Sequence, residues 1–100
     1  MTRSQRYRKY RREVAAVTKQ SKTLLGPSRY GFTLDHVVPV SYGFSHDISP
    51  LLVGSLENLE QVPFQDNLAK GASLNDPARA LLRKWGYDHL AEASEMRSAA

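Results

Sequence analysis

The sequence predicts a small α+β domain: a basic N-terminal helix, two short strands with a helix after them, and a C-terminal helical extension. Three observations predict it. Tyr7, Tyr10, Val14, Val17 and Leu24 recur at three- and four-residue steps with one gap at Ser21, which is the period of a helix with one packed face. Two runs rich in β-branched and other apolar residues, Phe32 to Val38 and Leu59 to Val62, each meet a proline, Pro39 and Pro63. Asp76-Pro77 and Gly86 bracket a third segment carrying Leu81, Leu82 and Trp85.

The elements follow in order. A first helix is expected from about Ser4 to Leu25, stopped by Gly26-Pro27, with its first two turns projecting beyond the fold. Tyr7 and Tyr10 are then either packing anchors or platforms for stacking on bases. The first strand runs through Phe32, Leu34 and Val37-Val38, with Gly31 at the turn before it. Tyr42 to Ser55 contains Gly43, Ser45, Ser49, Pro50 and Gly54 without a sustained period, so an extended loop is expected there, with Leu51-Leu52-Val53 folding back onto the core. The second strand, Leu59 to Val62, leads to a short helix from Phe64 or Gln65 to Lys70, capped by Gly71. Asp76 reads as the N-cap of a helix over Ala78 to Trp85, and a shorter helix follows from Asp88 to Met96. Trp85 is expected to serve as a core or docking residue.

One hundred residues suit a single domain with a modest core. Without cysteine there is neither a disulfide framework nor a thiolate-bound zinc to support it. No apolar stretch approaches the ~20 residues of a membrane span, and the N-terminal tract lacks a hydrophobic signal-peptide centre. A soluble, cytoplasmic protein with no membrane partner is expected.

The net charge of +4 conceals an asymmetry. Residues 1 to 30 carry nine basic residues against Glu13 alone, a balance of +8, whereas residues 31 to 100 carry five against nine, a balance of −4. A basic arm beside a mildly acidic body is the layout of a protein whose arm neutralises phosphates while the body does chemistry. Arg3, Arg6, Arg8, Lys9, Arg11 and Arg12 are the candidate nucleic-acid contacts of that arm.

Chemistry is concentrated between the two strands. Asp35-His36 stands in the run Leu34-Asp35-His36-Val37-Val38-Pro39-Val40-Ser41, and it is answered by Glu57-Asn58-Leu59 and by Asn67-Leu68-Ala69-Lys70-Gly71. A carboxylate beside an imidazole, with a further oxygen donor about thirty positions later, is a pattern able to bind a metal ion. This pattern resembles the HNH nucleases and their ββα-metal, or His-Me finger, fold. The resemblance spans Gly31 to Leu74. The interval from Asn58 to Asn67 is similar to that between the equivalent asparagines in the HNH domain of RNA-guided CRISPR nucleases. The chain departs from the family in carrying Asn67 where the name-giving second histidine stands, and in lacking the cysteine pairs of zinc-stapled members.

The resemblance divides the chain into a basic arm at 1–30, a nuclease core at 31–74 and a helical extension at 75–100, all within one domain. It implies catalytic roles for His36, Asp35, Asn58 and Asn67. His36 would be the general base, Asp35 and Asn67 the metal ligands, and Asn58 the residue whose amide bonds the backbone across the loop and holds His36 in place. Lys70 would touch a phosphate or simply complement its helix C-terminus. Asp66 has an ordinary first-turn role, and His46 and His89 lie outside the motif. Oxygen ligands favour Mg²⁺, with Mn²⁺ as substitute. Successive strand side chains face opposite ways, so Asp35 and His36 can share a site only if a bulge or turn intervenes.

Two functions compete at this level. One is a one-metal HNH endonuclease that nicks or cuts DNA, of the kind found free-standing in phage and mobile elements and working in an infected host cell. A single site cuts one strand, so a double-strand break needs a homodimer or two visits. The other is a non-catalytic nucleic-acid-binding or phage packaging-associated module on the same scaffold, for which the basic arm could equally take a protein partner.

Overall fold

A computed structural model describes residues 1–65 and 74–99 of the chain. The first helix, α1 (Arg3–Leu25), is entered through a capping box in which the Thr2 hydroxyl accepts from the Gln5 N–H and the Gln5 side chain accepts from the Thr2 N–H. It ends at Gly26, whose φ of 89° is open to glycine at no steric cost and whose N–H reaches the Lys22 carbonyl. Its first turns do not project. The Tyr7 and Tyr10 rings lie 5.0 and 5.6 Å from the Phe44 ring, and the Tyr10 hydroxyl donates to the Ile48 carbonyl at 2.8 Å. Both tyrosines are therefore packing anchors. Burial, reinforced by nearby acidic groups, pushes the Tyr10 phenol pKa up.

Strands β1 (Phe32–His36) and β2 (Leu59–Pro63) form an antiparallel pair, in register from Phe32 opposite Pro63 to His36 opposite Leu59. The connection between them is not the extended loop expected. It contains α2 (Val40–Ser45), α3 (Pro50–Val53) and a 3₁₀ turn at Leu56–Asn58. Helices of six and four residues are too short to display a period, which is why the sequence reads as irregular there. The Ser49 side chain caps α3 by accepting from the Leu51 N–H, with Pro50 at the start of the helix. Of the triplet expected to fold back, Val53 is fully buried while Leu51 is exposed.

Two glycines let these pieces close on α1. A Cβ at Gly43 would run into the Tyr10 hydroxyl, and one at Gly54 would stand 2.9 Å from the Val14 carbonyl oxygen. Ser21 sits at the same approach, its hydroxyl donating to the Gly54 carbonyl at 2.8 Å.

Helix α4 (Asp76–Lys84) is capped by Asn75 rather than Asp76: the Asn75 Oδ1 accepts from the Ala78 N–H at 3.0 Å. Asp76 falls in the first turn, where its charge suits the helix dipole. The helix closes in a Schellman motif, with Gly86 at φ 92°, its N–H on Arg83 and the Tyr87 N–H on Leu82. Helix α5 (Asp88–Ala99) runs further than its expected end at Met96. Val14, Val37, Val38, Ile48, Val53, Ala78, Leu82 and Ala91 form one core, so α1, the exit from β1, the connection after it, α4 and α5 contribute to the same interior. The observed class is α+β, with five helices and a two-stranded antiparallel sheet among the described residues. None of the described helices is long and apolar enough to cross a membrane.

Candidate active site

Asp35 and His36 are the last two residues of β1. The ladder continues through both, Asp35 opposite Glu60 and His36 opposite Leu59, so the bulge expected to bring them together is absent. His36 and Leu34 line the same cleft against α1, and strand alternation places Asp35 on the other face of the hairpin. The pair therefore brackets the strand end rather than converging on one point. Asn67, Lys70, Asp66 and Gly71 lie outside the described residues. Among the described residues no group of three or more His, Asp or Glu side chains is placed to hold a metal ion.

His36 is held from α1. Its Nε2 lies 3.0 Å from the Oγ1 of Thr18, a residue that is 8% exposed. The Thr18 hydroxyl fixes the direction of the ring, and the ring's tautomer sets which of the two groups donates.

Asn58 has no exposed surface and locks the chain immediately after His36. Its Oδ1 accepts from the Val38 N–H at 2.7 Å, and its Nδ2 donates to the Val38 carbonyl at 3.1 Å and to the Val53 carbonyl at 2.7 Å. Its own carbonyl accepts from the Val37 N–H at 2.8 Å. Every polar atom of the side chain is satisfied, and the strand exit, α3 and the 3₁₀ turn are tied at one residue. The neighbouring Glu57 faces outward. It accepts from Lys84 and from the Trp85 indole N–H, and these two hydrogen bonds hold its pKa below the usual carboxylate value. Trp85 is thus a half-buried docking residue.

The cations of the N-terminal segment divide by face. Arg3 stacks on Phe44 at 5.2 Å, and Arg11 lies 5.7 Å from the Tyr7 ring centroid. Arg8, Lys9 and Arg12 share an outer groove with Met1 and Gln5, and Arg6 is also exposed. Arg11, Lys19 and Lys22 instead line the cleft of roughly 630 Å³ between α1 and β1 that contains His36. Thr18, Lys19 and Lys22 were not singled out by the motif. The signal available for Thr18 was its place on the inward stripe with Val14 and Ser21, where a polar side chain must find a partner.

No protein-family model, no curated protein and no solved structure matches the chain.

Proposed function

We propose that this protein is a metal-dependent endonuclease of the HNH type, built on a ββα-metal core in which β1, β2 and the segment beginning at Phe64 are the three parts. The observation that carries the proposal is His36 itself: an imidazole at a strand end, held through Nε2 by Thr18, in the wall of a cation-lined cleft. Phe64 and Gln65, directly after β2, are helical, which agrees with the order strand, strand, helix.

Hydrolysis breaks the bond from phosphorus to the 3′ oxygen and forms one from phosphorus to a water oxygen. His36 takes the proton of that water, Thr18 holds the direction of the ring through Nε2, and Asn58 keeps the strand exit rigid behind it. Asp35 and Asn67 are both hard oxygen donors, a set that fits Mg²⁺ with Mn²⁺ as substitute. Held there, the ion would supply charge neutralisation at the phosphate and at the departing 3′ oxygen. DNA is the proposed substrate, encountered in the cytoplasm of the producing or infected cell.

A specific observation favours a second reading. Asp35 and His36 stand on opposite faces of an uninterrupted ladder, and a module that only binds nucleic acid has no need to bring them together. Supercoiled plasmid separates the two. The nuclease converts it to nicked or linear forms with Mg²⁺ and leaves it intact with EDTA, and His36→Ala slows conversion by about 10²- to 10⁴-fold. Plasmid bound but never cut under any divalent ion, or cut at the wild-type rate by His36→Ala, would overturn the nuclease proposal.

A further inference from the structure

We infer that the cleft between α1 and β1 is the track for one nucleic-acid strand, with Arg11, Lys19 and Lys22 on phosphates along it and His36 at its wall. The inference rests on the proposed nuclease reading for the role of His36, but its phosphate contacts stand on their own observations. Arg11, Ala15, Thr18 and Lys22 recur at four-, three- and four-residue steps along α1, with Lys19 beside them, so the cations follow a single helix stripe that borders a concavity. None of the described lining residues is acidic. Glu13, the one acid of α1, does not line the cleft.

Among the described residues these cations also form no ion pair. The described ion pairs join Arg79 to Asp76, Arg83 to Glu95 and Lys84 to Glu57, and none involves α1. A row of cations along a cleft, without carboxylates, is complementary to a row of anions. Its length selects a polymer. Arg11 to Lys22 spans eleven residues, about 16 Å of helix rise. That corresponds to roughly five steps of one strand at ~3.4 Å each. A free phosphate would engage only one end of it. Ser41, exposed on the opposite wall, adds a neutral donor to the same cleft. The binding surface is therefore the inner flank of α1, extending ten residues past Arg12, the last of the N-terminal cluster.

The test is DNA binding by the full-length protein in EDTA, so that no cleavage intervenes, measured by anisotropy of a labelled duplex across a salt series. Three proteins are compared: wild type, Arg11→Gln/Lys19→Gln/Lys22→Gln, and the charge-matched Arg6→Gln/Lys9→Gln/Arg12→Gln, whose residues do not line the cleft. Each neutralised phosphate contributes about −0.9 to the slope of log K against log salt, so the cleft variant loses about three units of slope and the outer variant less than one. Equal losses from the two variants would make α1 a diffuse basic surface and overturn the inference, as would a wild-type slope in the cleft variant. Displacement of DNA by polyglutamate at equal charge concentration would likewise overturn it, in favour of an acidic protein surface. Thermal unfolding of both variants checks that the fold is retained. Cleft-dependent binding without plasmid cleavage would sink the nuclease proposal and keep the track, whereas cleavage with cleft-independent binding would do the reverse.

Discussion

Helices α1 and α4 border the same core and use their residues in opposite ways. Every cation of α4 is paired: Arg79 with Asp76, Arg83 with Glu95, Lys84 with Glu57. The eight cations of α1 take part in none of the described ion pairs. The buried contacts differ as well. Helix α4 buries Ala78 and Leu82, while α1 buries Val14 together with Thr18 and Ser21, and spends those two hydroxyls on His36 and on the Gly54 carbonyl. An apolar contact stabilises without direction, whereas a buried hydrogen bond specifies one partner and one geometry. Helix α4 is a support. Helix α1 fixes the position of the imidazole and holds unspent positive charge beside it.

The contrast can be broken most severely on the α4 side. Leu82→Ala removes a fully buried side chain and should cost about 2–5 kcal/mol, read as a lower denaturation midpoint. A cost under ~1 kcal/mol would mean that α4 is not a supporting element. On the α1 side, Thr18→Val keeps the shape and deletes the hydrogen bond to His36. Plasmid nicking should fall about 10- to 100-fold, the scale of losing an orienting partner, with stability changed by only ~1 kcal/mol and DNA affinity unchanged. Thr18→Ser should restore the rate, and ring nitrogen shifts of His36 should report the loss of the Nε2 hydrogen bond in Thr18→Val. Parallel losses of rate and stability would reduce Thr18 to packing.

Weaker effects sharpen the charge comparison. Lys84→Met removes an exposed pair with Glu57 and should cost at most about 1 kcal/mol, with the DNA salt slope untouched. A slope that fell by a full unit would place α4 on the nucleic-acid surface too. The smallest effect concerns pH. Burial, and then the positive charge of Arg97, holds the His46 pKa below its ordinary value of 6.5, its ring 4.1 Å from Tyr42. The unfolded chain therefore binds a proton there before the folded one does. His46 leaves stability intact above pH 6.5 and lowers it as pH falls below that value. Denaturation midpoints taken from about pH 7 down to about pH 5 should drop less in His46→Gln than in wild type.

What the sequence determined by itself is local or compositional. The charge segregation, the helix stops at Gly26 and Gly86, the second strand, the docking of Trp85 and the first strand as far as His36, though not its expected course through Val37-Val38, were legible from neighbours within a turn or a pleat. The backbone bonds of Asn58 across the loop were implied by its resemblance to the middle position of the HNH pattern rather than by its neighbours, and the structure shows the bonds themselves. The tertiary structure decided the rest. It made two helices of a segment too short in its pieces to show a period, and it docked Tyr7, Tyr10 and Arg3 on Phe44. It kept the ladder regular through Asp35 and His36, separating two adjacent residues onto two faces. It also joined Thr18 to His36 across 18 positions and Tyr10 to Ile48 across 38. Such contacts leave no periodic trace in the chain, since their partners are chosen by how the helix and the hairpin pack rather than by any local preference of the residues themselves.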